Sequence, residues 1–178
     1  MIGAYVLVTA SDDYLVRREP HRRAHVERLL ALRGQGLVIA AGPAPDGRTA
    51  EVFYRTSDRA QVERLVEDDP YTQAGVWTAF TVRGISALVE PTSEAPVSLD
   101  GSRRVTIVEA PTTDPGAARL ALVELRATGR LAFGGVLDDG RTLAVVACAE
   151  EGVAVGLLAE TGLWSAEGLT PHPWLYVL

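Results

Sequence analysis

The chain opens on a short apolar run, AYVLVTA from Ala4 to Ala10, of the length and residue type expected of a strand. From about Pro20 to Leu32 the apolar positions fall instead at helical spacing. Proline suits the first turn of that helix, and Gly34 and Gly36 mark its end. Two strand-like runs follow, VIAAGP and TAEVFYR, joined by the turn residues PDG. Ser57 is placed to cap a second helix, DRAQVERLVE, whose Val62, Leu65 and Val66 make one apolar stripe, and WTAFTV closes as a strand. The predicted order is βαββαβ.

The pattern then returns. LLALRGQGLVIAAGPAPDGRTAEVF, from Leu29, aligns with LVELRATGRLAFGGVLDDGRTLAVV, from Leu122, at an offset of 93 positions. Leu32/Leu125, Arg33/Arg126, Gly36/Gly129, Gly42/Gly135 and the shared run DGRT all coincide, and the match continues without a gap to Gly75/Gly168. The second half reads as RVTIVEA, PGAARLALVELRA, LAFGGV, TLAVVACA, GVAVGLLAE and WLYVL, again βαββαβ. Between the halves, roughly Ala87 to Ser102, the chain is rich in proline, serine and acid and suits an exposed linker. A βαββαβ unit is a four-stranded antiparallel sheet with both helices on one face. The expectation is an α+β protein: one unit over residues 1–86, a linker over 87–102 and a second unit over 103–178, each covering the other's bare sheet face.

Composition narrows the function. The 178 residues carry a formal net charge of −6, without the basic footprint of a nucleic-acid binder. All 17 basic residues are arginine, so neither a Schiff-base lysine nor a phosphate-loop lysine is available. The single cysteine, Cys148, reads as a small buried hydrophobe in LAVVACA. The first residues lack the basic segment of a secretory signal, and no uncharged apolar run is long enough to cross a bilayer. A soluble, cytoplasmic protein with a small-molecule partner is expected.

The stretches RRAHVERLLALRGQGLVIAAGPAPDG and DDPYTQAGVWTAFTV resemble the YCII-related family of ferredoxin-like proteins. The resemblance is carried by Arg22, His25, Leu29, Gly36, Ala41, Gly42, Pro43, Asp69, Pro70, Tyr71, Gly75 and Val76. It implies a dimeric α+β barrel, two sheets face to face, with a cleft in which His25 and Asp69 form a catalytic pair. Some members of that family are similar to lyases that eliminate chloride from aromatic intermediates, and others sit in biosynthetic pathways. The second half departs from the pattern, since Ala118, Gly162, Leu163 and Trp164 stand where the first has His25, Asp69, Pro70 and Tyr71. That half is therefore expected to be a structural partner, making the chain a monomer with an internal pseudo-dimer or a homodimer of that.

Each candidate has two readings. His25 can take and return a proton while Asp69 fixes its tautomer, or it packs near the helix start while Asp69 caps the turn before Pro70. Arg22, one turn from His25, either holds a substrate carboxylate or makes a structural ion pair. Tyr71 either donates into the cleft or buries its ring. His21 and His25 have the four-residue spacing of a metal pair but lack a nearby third ligand, so no metal is expected. Arg17, Arg18, Arg22, Arg23 and Arg28 read as a solvated helix face with Glu19 and Glu27. The three tryptophans read as core anchors, and His172 as a surface histidine. The sum is a cofactor-independent enzyme of lyase, isomerase or hydrolase type acting on a small anionic or carbonyl-bearing molecule. The alternative is a non-catalytic binding or pathway accessory protein.

Overall fold

A computed structural model describes residues 3–56 and 58–178. The first half contains β1 (Gly3–Ala10), α1 (Tyr14–Arg17), α2 (Arg22–Gly34), β2 (Val38–Pro43), β3 (Thr49–Tyr54), α3 (Arg59–Glu67), α4 (Pro70–Gln73) and β4 (Trp77–Val89). The second contains β5 (Arg104–Pro111), α5 (Pro115–Ala127), β6 (Leu131–Leu137), β7 (Arg141–Val146), α6 (Glu151–Ala159) and β8 (Thr170–Leu175). The fold is mixed α+β on one antiparallel sheet in the order β2-β3-β1-β4-β6-β7-β5-β8.

Period-two alternation sorts the strand residues between two faces. Ala50, Val52 and Tyr54 on β3 pack with α2 and α3 residues such as Leu29 and Val62. Ala144 and Val146 on β7 pack likewise with Leu122 and Leu158 of α5 and α6. The opposite faces of both halves meet in a third cluster that includes Tyr5, Phe53, Phe133 and Trp174. There Phe53 stacks on Tyr5 at 5.0 Å between ring centroids and meets Phe133 edge-on at 4.8 Å, so the contact crosses from one half to the other. Each such buried ring contributes about 1.5–3 kcal/mol relative to exposure.

The halves meet at two seams. At the first, β4 runs past β1 and pairs with β6, Ile85 opposite Leu137. At the second, the tail after β8 reaches β2: the Val177 and Leu178 N–H groups donate to the Ala41 carbonyl at 3.1 Å, and the Trp174 indole donates to Gly42 O at 2.8 Å. Glycine is required at both seams. A Cβ at Gly42 would lie 1.8 Å from Leu175 O, and one at Gly135 would lie 2.4 Å from Ile85 Cγ2.

Several elements differ from expectation. The first long helix begins at Arg22, after a single tight turn over Glu19–His21, because Pro20 occupies that turn. Ser57 lies outside the described residues, and Asp58 caps α3 by accepting from the Gln61 N–H at 3.2 Å. β4 extends to Val89 because β6 supplies a partner that no local pattern reveals. The last strand is Thr170–Leu175 rather than WLYVL. Pro171 and Pro173 are tolerated because β8 ends the sheet order, where only the β5 side needs donors. Cys148 is half-exposed, since β7 stops at Val146. The linker is tethered: Arg126 donates to Glu90 O at 2.9 Å, Arg33 to Ala95 O, and the Ser98 N–H to Val177 O.

Candidate functional site

Asp69 precedes a proline, which holds it extended (φ −71°, ψ 135°) and makes it the N-cap of α4. Its Oδ1 accepts the Tyr71 backbone N–H at 2.9 Å and faces His25 Nδ1 at 2.7 Å. Capping and histidine contact, set out above as alternatives, are made by the same oxygen. Its Oδ2 lies 4.0 Å from Arg28 Nε, so the carboxylate has donors on both sides. A carboxylate oxygen can only accept, so Nδ1 is the donor in this contact and Nε2 takes no part in it.

His25 sits on the inward face of α2, one turn past Arg22, and is buried. Its ring stacks on Tyr71, 3.8 Å between centroids and 8° between planes, and Trp77 from β4 meets it edge-on at 4.9 Å. Two aromatic walls and one hydrogen-bonded nitrogen fix the ring of a residue that lines the cavity. Burial, together with the neighbouring Tyr14 phenol, pushes the Tyr71 phenol well above its ordinary range. Tyr71 therefore stays a proton-bearing donor.

The cavity measures about 250 Å³. His25, Tyr71, Trp77 and Tyr14 form its aromatic side, and Arg18 and Arg22 its cationic rim. Arg18 lies over the Tyr14 ring, 4.9 Å from the centroid. Arg22 reaches the Leu99 carbonyl at 3.4 Å and makes no carboxylate contact within 4.0 Å among the described residues, which leaves its charge open to a ligand. Leu99, Asp100 and Gly101 of the linker close one wall, and Leu175, Val177 and Leu178 another.

All four predicted residues come together: Arg22, His25 and Tyr71 line the cavity, and Asp69 stands behind His25. The reading of five arginines as a solvated face fails for two of them. Arg28 turns inward to Leu65 O at 3.1 Å, and Arg18 joins the rim while keeping Glu19 at 3.4 Å; Arg17 with Asp13 and Arg23 with Glu27 pair as surface residues would. His172 is also not a free surface residue, because β8 carries it inward until its Nε2 lies 3.1 Å from Glu51 Oε1. Glu51, 1 % exposed and lining the cavity, escaped sequence reasoning. The available signal was an acid in the middle of a strand expected to be covered on both faces. At the corresponding second-half positions, Ala118 and Trp164 are core residues, the Trp164 indole donating to Pro111 O at 3.1 Å. Among the described residues no group of His, Cys, Asp and Glu could hold a metal ion, and no helix is long and apolar enough to cross a membrane.

The stretch carrying His25, Asp69 and Tyr71 is also the one that resembles a known family, over a little under half of the chain. Residues 4–86 match the family model of the YCII-related domain. The matched segment holds both His25 and Asp69 and most of the residues that line the cavity. No curated protein matches the chain. Among solved structures, the chain is similar to a candidate monooxygenase from Lactobacillus acidophilus NCFM, at TM-score 0.59 and 11% identity over 100% of this chain and 95% of that one. It is also similar to a heme-binding protein from Thermus thermophilus, at TM-score 0.53 and 13% identity over 99% and 92%. Both show the fold over the full length. A 5-chloro-2-hydroxyhydroquinone dehydrochlorinase from Burkholderia phenoliruptrix AC1100, solved with 2,5-dihydroxybenzoquinone, matches 46% of this chain and 90% of its own at 22% identity and TM-score 0.39.

Proposed function

We propose that the cavity is the active site of an acid/base enzyme acting on a small carboxylated, carbonyl-bearing metabolite. His25 is the proton carrier and Asp69 its positioning residue. The observation that carries this reading is the 2.7 Å contact between His25 Nδ1 and Asp69 Oδ1 in a histidine that also lines the cavity. A ring held by one nitrogen presents the other in a fixed direction, and the carboxylate stabilises the imidazolium once Nε2 has taken a proton. Arg22 and Arg18 anchor a carboxylate at the rim, and the Tyr71 hydroxyl, kept protonated by burial, donates to a polar group of the substrate. A carboxylated metabolite a few carbons long fits a cavity of this size.

We also propose that the chain is an internal pseudo-dimer in which the second βαββαβ unit, residues 103–178, replaces a second subunit. Supporting it are the repeated element order, the two seams joining the halves and the aromatic core drawn from both. Only the first unit keeps the histidine pair, so one ligand site per chain is expected.

The test is proton NMR of 2-oxobutanoate in deuterated buffer, following solvent exchange of its C–H protons adjacent to the carbonyl. Wild-type protein is expected to accelerate exchange, and His25→Ala to lower that rate by about 10²–10⁴-fold with binding retained. A bound probe whose exchange is not accelerated would make the protein a binder rather than an enzyme.

A further inference from the structure

A third charged residue stands against the histidine pair, on the same helix as the histidine. Arg28 follows His25 by three residues on α2, so the two side chains leave neighbouring positions on one face. Asp69 Oδ1 accepts from both His25 Nδ1 and the Tyr71 N–H, which leaves Oδ2 to other partners. Arg28 Nε stands 4.0 Å from Oδ2, and among the described residues no cation besides His25 and Arg28 lies within 4.0 Å of this carboxylate. That Nε is buried and has no hydrogen-bond partner, while Nη2 of the same guanidinium donates to Leu65 O at 3.1 Å, in the last turn of α3.

The Leu65 contact alone would make Arg28 a helix cap, but the second half caps the corresponding helix without an arginine. There Leu158 stands 93 positions after Leu65, and its carbonyl accepts the Thr161 hydroxyl at 2.6 Å. Ala121, a core residue, stands where the first half has Arg28. The half without the arginine is also the half without the pair, with Ala118 for His25 and Gly162 for Asp69. Arg28 thus goes with the carboxylate and not with the helix end. The other ionisable groups around the pair bring little charge to Oδ2. β2 carries none, and α4 brings the Tyr71 phenol. β3 brings Tyr54, whose buried phenol is raised above its ordinary range first by burial and then by the Asp69 charge, with Arg28 opposing. His21 and Arg22 stand at the helix start, one turn before His25, and Glu67 and Asp68 at the end of α3 are exposed, where water screens them.

Resting on the proposed function, we infer that Arg28 is a positioning residue for the reaction: it holds the Asp69 carboxylate against His25 and offsets part of its charge, so that the imidazole is a free base near neutral pH. A carboxylate beside a histidine favours the imidazolium, and an unopposed one keeps the ring protonated to higher pH. A guanidinium at the far oxygen draws part of that charge away, so the pair, titrating as one unit, takes up its proton at lower pH. More of the ring is then unprotonated and able to accept a substrate proton. Arg28 does this without meeting the substrate, since it is not among the residues that line the cavity. Removing its charge raises the pH at which the pair is half protonated and leaves less free base at neutral pH.

The test is the protonation midpoint of His25, read by proton NMR from its ring C–H signals, which are assigned by their loss in His25→Ala. Arg28→Gln removes the charge and keeps an N–H donor for Leu65 O. Its midpoint is expected to rise by about 0.5–1 pH unit, and its exchange of 2-oxobutanoate near neutral pH to fall about 3–10-fold. Arg28→Lys, which keeps the charge, is expected to recover most of both. In an Asp69→Asn background, Arg28→Gln is expected to leave the midpoint where Asp69→Asn puts it, because the charge it offsets is gone. Should Arg28→Gln not fold by circular dichroism, adding Asp68→Thr supplies at the end of α3 the hydroxyl cap that Thr161 gives α6, with no charge restored. The inference is overturned if Arg28→Gln keeps the wild-type midpoint, if Arg28→Lys behaves as Arg28→Gln does, or if the shift persists without the Asp69 charge. Lost stability in urea with an unmoved midpoint would make Arg28 a helix cap only. The two readings fail separately: a wild-type protein that does not accelerate exchange defeats the enzyme, whereas one that does, with the midpoint unmoved in Arg28→Gln, defeats only the role of Arg28.

Discussion

Replacing Gly42 by alanine places one methyl group where the backbone of another strand already runs. Its carbon would lie 1.8 Å from Leu175 O, 2.9 Å from Leu175 C and 3.2 Å from Val177 N. A carbon–oxygen contact needs about 3.3 Å, so the tail must retreat by roughly 1.5 Å, and no flexible side chain can absorb that shift. The seam hydrogen bonds, 2.8 Å from the Trp174 indole to Gly42 O and 3.1 Å from Val177 N and Leu178 N to Ala41 O, would then exceed bonding distance. Overpacking costs about 1–3 kcal/mol, and stranding the indole N–H of a fully buried tryptophan about 1–3 more. The expected loss is roughly 2–6 kcal/mol, which for a chain of this length lowers the melting temperature by about 4–24 °C. Gly129→Ala is the control, because its φ of +73° gives strain of about 1–2 kcal/mol but its Cβ meets nothing within 4 Å. Urea and calorimetric unfolding of the two variants decide the matter. The reasoning is refuted if Gly42→Ala loses no more stability than Gly129→Ala.

Other outcomes follow from the site. Asp69→Ala removes the cap on Tyr71 N–H and the partner of His25 Nδ1, and is expected to cost about 2–4 kcal/mol in urea unfolding; a loss under about 1 kcal/mol would contradict the geometry. Asp69→Asn should lower probe exchange, and the double variant with His25→Ala should be little worse than His25→Ala alone, because the two act as a unit; additive losses would separate them. Burial raises the Glu51 carboxyl above its ordinary value of 4.5, so over the interval between the unfolded and folded values the native state holds a proton that the unfolded chain has released. That contribution is fully present below about 4.5 and is lost as pH rises through the raised folded value, so Glu51→Gln should flatten the fall of melting temperature with pH in that window. Calorimetric titration with 2-oxobutanoate should give one site per chain, and two equivalent sites would exclude the asymmetric reading.

Local signals were enough for the two βαββαβ passages, because strand and helix periods, the Pro20 start, the glycine exits and the PDG turn are written in neighbouring residues. Residue types announced the helix start at His25 and the Asp-Pro turn at Asp69, but that the two form a pair came from the family resemblance and not from local signals. What pairs across the chain was not legible. The extension of β4 to Val89, the proline-bearing strand β8 and the linker wall at Leu99–Gly101 depend on partners many residues away. Arg18 and Arg28 were misread because a charged residue on a helix looks solvated until the helix is docked. Glu51 and His172, 121 residues apart, meet only because the sheet faces of the two halves close on one another. Periodicity fixes which face a side chain takes, and hence the elements. The chemistry between two faces exists only once burial has brought them together and removed the water that would have separated their charges.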